Sequence, residues 1–213
     1  MEDVERLFFE AADLFQARDA PGAEALLRRG LAASPEHAPS LSLLGLIAGR
    51  AGRDVECVAL LERAITHATP AQAAAAGLWL GAAHRRAGRP LEAIEALRAA
   101  VAADPGLAAA RGAVASALYA AGDIPAAADH AERAVALAPG DPGFAGDLAV
   151  ARNAQGRCAE AAELCRTALA AGEEPELLNT LGVALRELGD LAAAGQDLQR
   201  LDVRRAAVSG GYR

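Results

Sequence analysis

Histidine and cysteine are the residue types in this chain best suited to metal ligation or nucleophilic catalysis, and their spacing argues against both. His37, His67, His84 and His130 are dispersed, and no two have the i, i+4 spacing that sets a pair of imidazoles on one helix face. Cys57, Cys158 and Cys165 form an odd set without a CxxC pair, which excludes a disulfide framework and a zinc ribbon and fits free thiols in a reducing compartment. Cys158 and Cys165 share a helix face, but they lie two turns apart and would need further zinc ligands. All 21 basic residues are arginine, so Schiff-base chemistry, lysine-anchored pyridoxal phosphate and a Walker-type phosphate loop are absent. The carboxylates Glu92, Glu95, Asp129, Glu132, Glu160 and Glu163 are scattered; they read as a solvated helix face with intrahelical ion pairs such as Asp129 with Arg133. The sequence therefore predicts no enzyme, no cofactor and no metal.

The elements that carry these residues follow from composition. Of 213 residues, 53% are hydrophobic and only 3% aromatic, and over a quarter are alanine, the strongest helix former. An all-α chain is expected. A formal net charge of −7 disfavours nucleic acid, whose binders need excess basic charge to displace phosphate counterions. The opening Met1-Glu2-Asp3-Val4-Glu5-Arg6 does not resemble a signal peptide. Apolar windows such as Leu41 to Ala48 fall short of the about 20 residues that cross a bilayer, so the expected location is cytoplasmic.

Self-similarity organises the rest. Pro105 recurs at Pro139, and Gly88 recurs at Gly122 and Gly156, each step being 34 residues. Ala93, Leu97 and Ala100 are matched by Ala127, Ala131 and Ala134, and then by Ala161, Cys165 and Ala168. Leu44-Gly45, Gly52, Cys57, Leu61 and Ala64 extend the frame backwards; Leu181-Gly182, Gly189, Ala194, Leu198 and Leu201 extend it forwards. The first copy is carried by Ala11, Ala23, Leu27, Gly30 and Pro35, with an irregular turn at Arg18-Asp19-Ala20-Pro21-Gly22. The step from Gly45 to Gly81 is 36, which places an extra pair of residues near Thr69-Pro70-Ala71-Gln72.

This pattern resembles the tetratricopeptide repeat, a helix, a tight turn and a second helix repeated every 34 residues. The resemblance implies an α-α superhelical solenoid of helix-turn-helix repeats. It spans residues 1–208 as one array, with repeats at about 4–37, 38–73, 74–107, 108–141, 142–174 and 175–208 and a short tail at 209–213. Its diagnostic column of small residues is Ala11, Gly45, Gly81, Ala115, Ala149 and Gly182 in the first helices. In the second helices it is Ala23, Cys57, Ala93, Ala127, Ala161 and Ala194. The aromatic columns depart from the family, being Leu7, Leu41, Gly77, Arg111, Ala145 and Leu178, then Leu14, Ala48, His84, Leu118, Arg152 and Leu185. Looser packing is expected in the third to fifth copies, where Gly77, Arg111, Ala145 and Arg152 replace rings.

The resemblance also implies a concave groove lined by first helices that binds a peptide or protein. On this frame the partner-binding residues are Arg50, Trp79, Arg85, Arg86, Tyr119, Asn153, Asn179 and Arg186, with Phe8, Phe15, Ser42, Leu78, Ser116 and Asp147 beside them. Arginine and asparagine would hold backbone or carboxylates, and aromatic rings would act as anchors. The family's lysine-rich clamp for a terminal carboxylate is missing. The expected function is a non-catalytic interaction module or scaffold, its partner carrying an acidic segment drawn to groove arginines. The alternatives are an arm of a larger bacterial enzyme of the glycosyltransferase, sulfotransferase or hydroxylase type, or a self-assembling scaffold. With no polar capping helix expected after about Val208, the last repeat would need a further domain, another chain, or tolerance of its exposed face.

Overall fold

The structure is a computed structural model that describes residues 3–170 and 175–189. Among the described residues it contains eleven α-helices and no strand, in agreement with the all-α expectation. They are α1 (Val4–Gln16), α2 (Ala20–Ala33), α3 (Ala38–Arg50), α4 (Asp54–His67), α5 (Pro70–Arg86), α6 (Pro90–Ala103), α7 (Ala108–Ala120), α8 (Ile124–Leu137), α9 (Pro142–Ala154), α10 (Cys158–Leu169) and α11 (Pro175–Glu187). The chain forms two compact units, Met1–Ala117 and Leu118–Arg213, divided within α7. The second helix expected for the last repeat, from Asp190, and the tail lie outside the described residues.

Each helix begins and ends for identifiable reasons. Asp3, Asp19, Asp123 and Asp141 accept hydrogen bonds from amides of the first turn, satisfying donors that have no intrahelical partner. Thr69 and Gln72 form a reciprocal capping box with Pro70 just inside the helix. The extra residues expected at this joint lengthen α5 to 17 residues, against 13 for α3 and α9.

The tight turns share one hydrogen-bonding device. Gly52, Gly88, Gly122 and Gly156 have φ between 70° and 85°, a left-handed conformation that glycine adopts without steric penalty. The next residue then donates back across the helix end: Arg53 N to Ala48 O at 2.9 Å, Arg89 N to His84 O at 2.9 Å and Arg157 N to Arg152 O at 2.9 Å. That same residue is the N-cap of the following helix, so the chain reverses within a few residues. The irregular first turn keeps this geometry without glycine: Asp19 N donates to Leu14 O at 2.8 Å, and Arg18 takes φ 65°.

Paired helices approach closely along the small-residue column. A Cβ built on Gly81 would lie 2.5 Å from Leu97 Cγ, and one on Gly45 would lie 2.9 Å from Leu61 Cγ. Ala11, Ala23, Ala149 and Ala161 are fully buried, and Cys57 and Cys165 are buried in the same environment. In Met1–Ala117 the core is built on Leu7, Leu27, Leu41 and Leu61. In Leu118–Arg213 it is built on Leu169, Leu177, Leu181 and Leu185 together with small residues. Of the positions where looser packing was expected, Gly77 packs closely, a Cβ there lying 3.0 Å from Ala100 Cβ, whereas Ala145 borders an open depression of about 540 Å³ walled by Val135, Pro139, Leu164 and Ala168.

Salt bridges add cross-links between neighbouring helices of the first unit. Arg53 donates to both oxygens of Glu24 at 2.8 Å, and Arg28 reaches Glu56 at 2.9 Å. The Arg53 hydrogen bonds hold the Glu24 carboxyl below its ordinary value against opposing desolvation. Their contribution is present above the ordinary carboxylate range and is lost as pH falls through the depressed value.

Two substitutions test these constraints by urea denaturation. Gly81→Val is expected to lower the unfolding free energy by about 2 kcal/mol, because the added atoms overlap Leu97 in a packed interface. Arg18→Gly is expected to raise it by roughly 0.5–1 kcal/mol, since relief of a left-handed non-glycine residue outweighs the added chain entropy.

Candidate partner-binding cleft

Within Leu118–Arg213, α9 and α11 lie side by side, and the end of α7 contributes a ring at one end. Two adjoining depressions run along them. One, of about 500 Å³, is lined by Tyr119, Val150, Asn153, Ala154, Gly156, Cys158, Asn179, Thr180, Val183 and Glu187. The other, of about 390 Å³, is lined by Asp141, Pro142, Gly143, Gly146, Asp147, Val150, Glu176, Leu177 and Thr180. Val150 and Thr180 belong to both, so the two form one cleft. Gly146 keeps it open, and a Cβ there would sit 3.3 Å from Leu177 Cδ2.

The polar groups of the cleft are few. Asn153 Nδ2 donates to the Thr180 carbonyl at 3.2 Å, which fixes the amide orientation because a carbonyl accepts only from the NH2 side. Asn153 Oδ1 is buried without a hydrogen-bond partner. Thr180 Oγ1 donates to the Glu176 carbonyl at 2.9 Å, so its hydroxyl proton is already used. Tyr119 is 41% exposed and Asn179 is exposed, leaving one ring and one amide accessible to a ligand. The charged residues lining the cleft are Asp141, Asp147, Glu176 and Glu187, and none of the lining residues is cationic. Asp141 also caps α9, accepting from Gly143 N at 2.8 Å and Phe144 N at 3.4 Å.

The residues singled out from sequence divide between the two units. Tyr119, Asn153 and Asn179 meet in the cleft, and Arg186 lies just outside its lining, paired with Glu187 at 3.1 Å. Arg50, Trp79, Arg85 and Arg86 belong to Met1–Ala117. There the Arg50 guanidinium stacks 4.7 Å from the Phe15 ring centroid, and Trp79 packs half-buried against the core. Arg86 donates to Asp54 Oδ1 from Nη2 at 2.9 Å and from Nε at 3.1 Å, joining the end of α5 to the first turn of α4. Arg85 is exposed. The expected arginine run is therefore not what lines the cleft; Arg86 instead meets a carboxylate at a helix N-terminus, where negative charge already favours the helix dipole.

Two constellations escaped the sequence reading. Arg152 stands in an aromatic column, yet its side chain is only 8% exposed, and it pairs with Glu132 of α8 and Glu160 of α10. Those carboxylates thus bridge helices and do not form only a solvated intrahelical face. Ser40, His37 and Glu5 form a hydrogen-bonded chain, Ser40 Oγ to His37 Nδ1 at 2.7 Å and His37 Nε2 to Glu5 Oε1 at 3.1 Å. It has the residue types of a hydrolase triad, but Ser40 is 1% exposed and out of reach of a substrate. The chain fixes the start of α3 against α1, and the three-residue spacing of His37 and Ser40 at a helix start was its only sequence signal.

Burial pushes the Cys165 thiol up to about 11 and also raises Cys57, away from the thiolate form that a nucleophile needs. Among the described residues no group of three or more His, Cys, Asp or Glu is placed to hold a metal ion. Nor is any described helix long and apolar enough to cross a membrane.

Helical hairpins joined by left-handed glycine turns and packed through a small-residue column define a helix-turn-helix repeat protein. The family model of the tetratricopeptide repeat matches residues 56–108, 80–142, 108–174 and 147–209, and the chain belongs to that family. Among solved structures, PilF of Pseudomonas aeruginosa is similar with a TM-score of 0.78 and 16% identity, covering 93% of this chain and 91% of its own. A structure of MamA has a TM-score of 0.67 and 22% identity, covering 80% and 93%. One of YrrB, described as having an unusual peptide-binding site, has a TM-score of 0.65 and 17% identity, covering 82% and 89%. These likenesses show the α-α solenoid fold. Comparison with curated proteins finds no match.

The Arg152 contacts predict that Arg152→Ala lowers stability by about 2 kcal/mol, through lost stem packing and the broken ion pairs. Because Glu132 and Glu160 remain half-exposed, the loss should stay below that of a fully buried pair, which urea denaturation will show.

Proposed function

We propose that this chain is a non-catalytic interaction module whose α9–α11 cleft receives an extended segment of a partner protein. The observation that carries this reading is the meeting of Tyr119, Asn153 and Asn179, from three different first helices, along one open cleft. The ring offers an anchor with little side-chain entropy to lose, the exposed Asn179 amide offers a donor and an acceptor to an extended backbone, and Asn153 fixes α9 against α11 through its bond to the Thr180 carbonyl. Membership of a repeat family that presents surfaces between stacked helices supports the same reading, as does the peptide-binding site named for the YrrB structure.

Arg50, Trp79, Arg85 and Arg86 mark a second contact area in Met1–Ala117. The exposed cations Arg50 and Arg85 would meet the acidic partner segment expected from sequence. The three buried free thiols are in keeping with a cytoplasmic setting.

A peptide selected from a random display library on the immobilised chain provides the probe. Its dissociation constant is expected to rise at least tenfold in Tyr119→Ala/Asn153→Ala and to stay unchanged in Glu92→Ala/Glu95→Ala on α6. Loss of binding in the α6 variant, with the cleft variant unaffected, would move recognition to the second helices.

A further inference from the structure

We infer that the segment held by the α9–α11 cleft is basic, with two Arg or Lys side chains about five residues apart. This inference rests on the cleft being the binding surface proposed above. The carboxylates Asp141, Asp147, Glu176 and Glu187 line it, and no lining residue is cationic. Arg186, the cation beside it, is paired with Glu187, and with side chains 66% and 56% exposed both are screened by solvent, so the stronger negative field lies at the Glu176 end. A segment bearing carboxylates would meet like charge along the cleft's length, whereas one bearing guanidinium or ammonium groups would have a counterion at each end.

The spacing follows from helix geometry. Glu176 stands in the first turn of α11 and Glu187 is its last residue. Eleven residues at a rise of about 1.5 Å place them roughly 16 Å apart along the axis, which about five residues of extended chain span. Asp141 and Asp147 reinforce the Glu176 end. At the other end, beside Glu187, Tyr119 presents a half-exposed ring on which a guanidinium can stack. Between the two ends, the exposed amide of Asn179 offers the segment's backbone a donor and an acceptor.

The test selects random twelve-residue peptides on the whole immobilised chain at 50 mM and at 300 mM NaCl, with sequencing of the bound pools. Enrichment of pairs of Arg or Lys about five positions apart is expected. It should fall at least tenfold at the higher salt and at least tenfold in Glu176→Gln/Glu187→Gln, whose helicity is checked by circular dichroism. Selection of acidic or uncharged peptides that still depend on Tyr119 and Asn153 would overturn the basic partner and leave the cleft in place. Peptides indifferent to Tyr119→Ala/Asn153→Ala would overturn the cleft and this inference together, as would a bound pool no different from bare support. Basic peptides indifferent to the Glu176→Gln/Glu187→Gln change would overturn the assignment of these carboxylates.

Discussion

The structure depends on how closely two helix backbones can approach where side chains are missing. At Gly45 and Gly81 the space that a Cβ would fill is taken by Leu61 and Leu97, so the leucine of one helix rests on the backbone of its partner. Alanine serves at the equivalent positions Ala11 and Ala149, both fully buried. Because Leu61 and Leu97 find their burial on these backbones, a larger residue would push the hairpin apart and expose apolar surface on both helices. The left-handed turns complete the constraint, since a helix that packs this closely must reverse within a few residues to meet its partner.

Function follows from what this arrangement leaves uncovered. Once α9 has packed its small face against α10, the face that carries Val150 and Asn153 remains beside α11, where Gly146 leaves room for a cleft. The cleft is acidic because two of its carboxylates belong to helix starts. Asp141 caps α9 and Glu176 lies in the first turn of α11, both positions where negative charge stabilises the helix. Local helix stabilisation and the cleft's negative field thus have a common origin.

Much of this was legible in the sequence because it is periodic. Gly52, Gly88, Gly122 and Gly156 announced the turns, the small-residue column announced the packing, and the same frame brought Tyr119, Asn153 and Asn179 into one cleft. What the sequence hid depends on the reach of long side chains across repeats. Arg86 and Asp54 are 32 residues apart, and whether an arginine faces a groove or staples a neighbouring helix depends on rotamers that no pattern encodes. Arg152 was misleading for the same reason: a charged residue in an aromatic column reads as a packing defect until Glu132 and Glu160 are seen to converge on it. The acidic lining was also missed, because Asp141 and Glu176 read as helix starts and only the folded chain sets them along one cleft.

The central claim is that first-helix faces left open by close helix pairing carry recognition. Hydrogen–deuterium exchange of the whole chain, with and without a saturating bound partner segment, measures it directly. The account predicts new protection in Pro142–Ala154 and Pro175–Glu187, with Ile124–Leu137 and Cys158–Leu169 unchanged. Protection confined to those two second helices would contradict it.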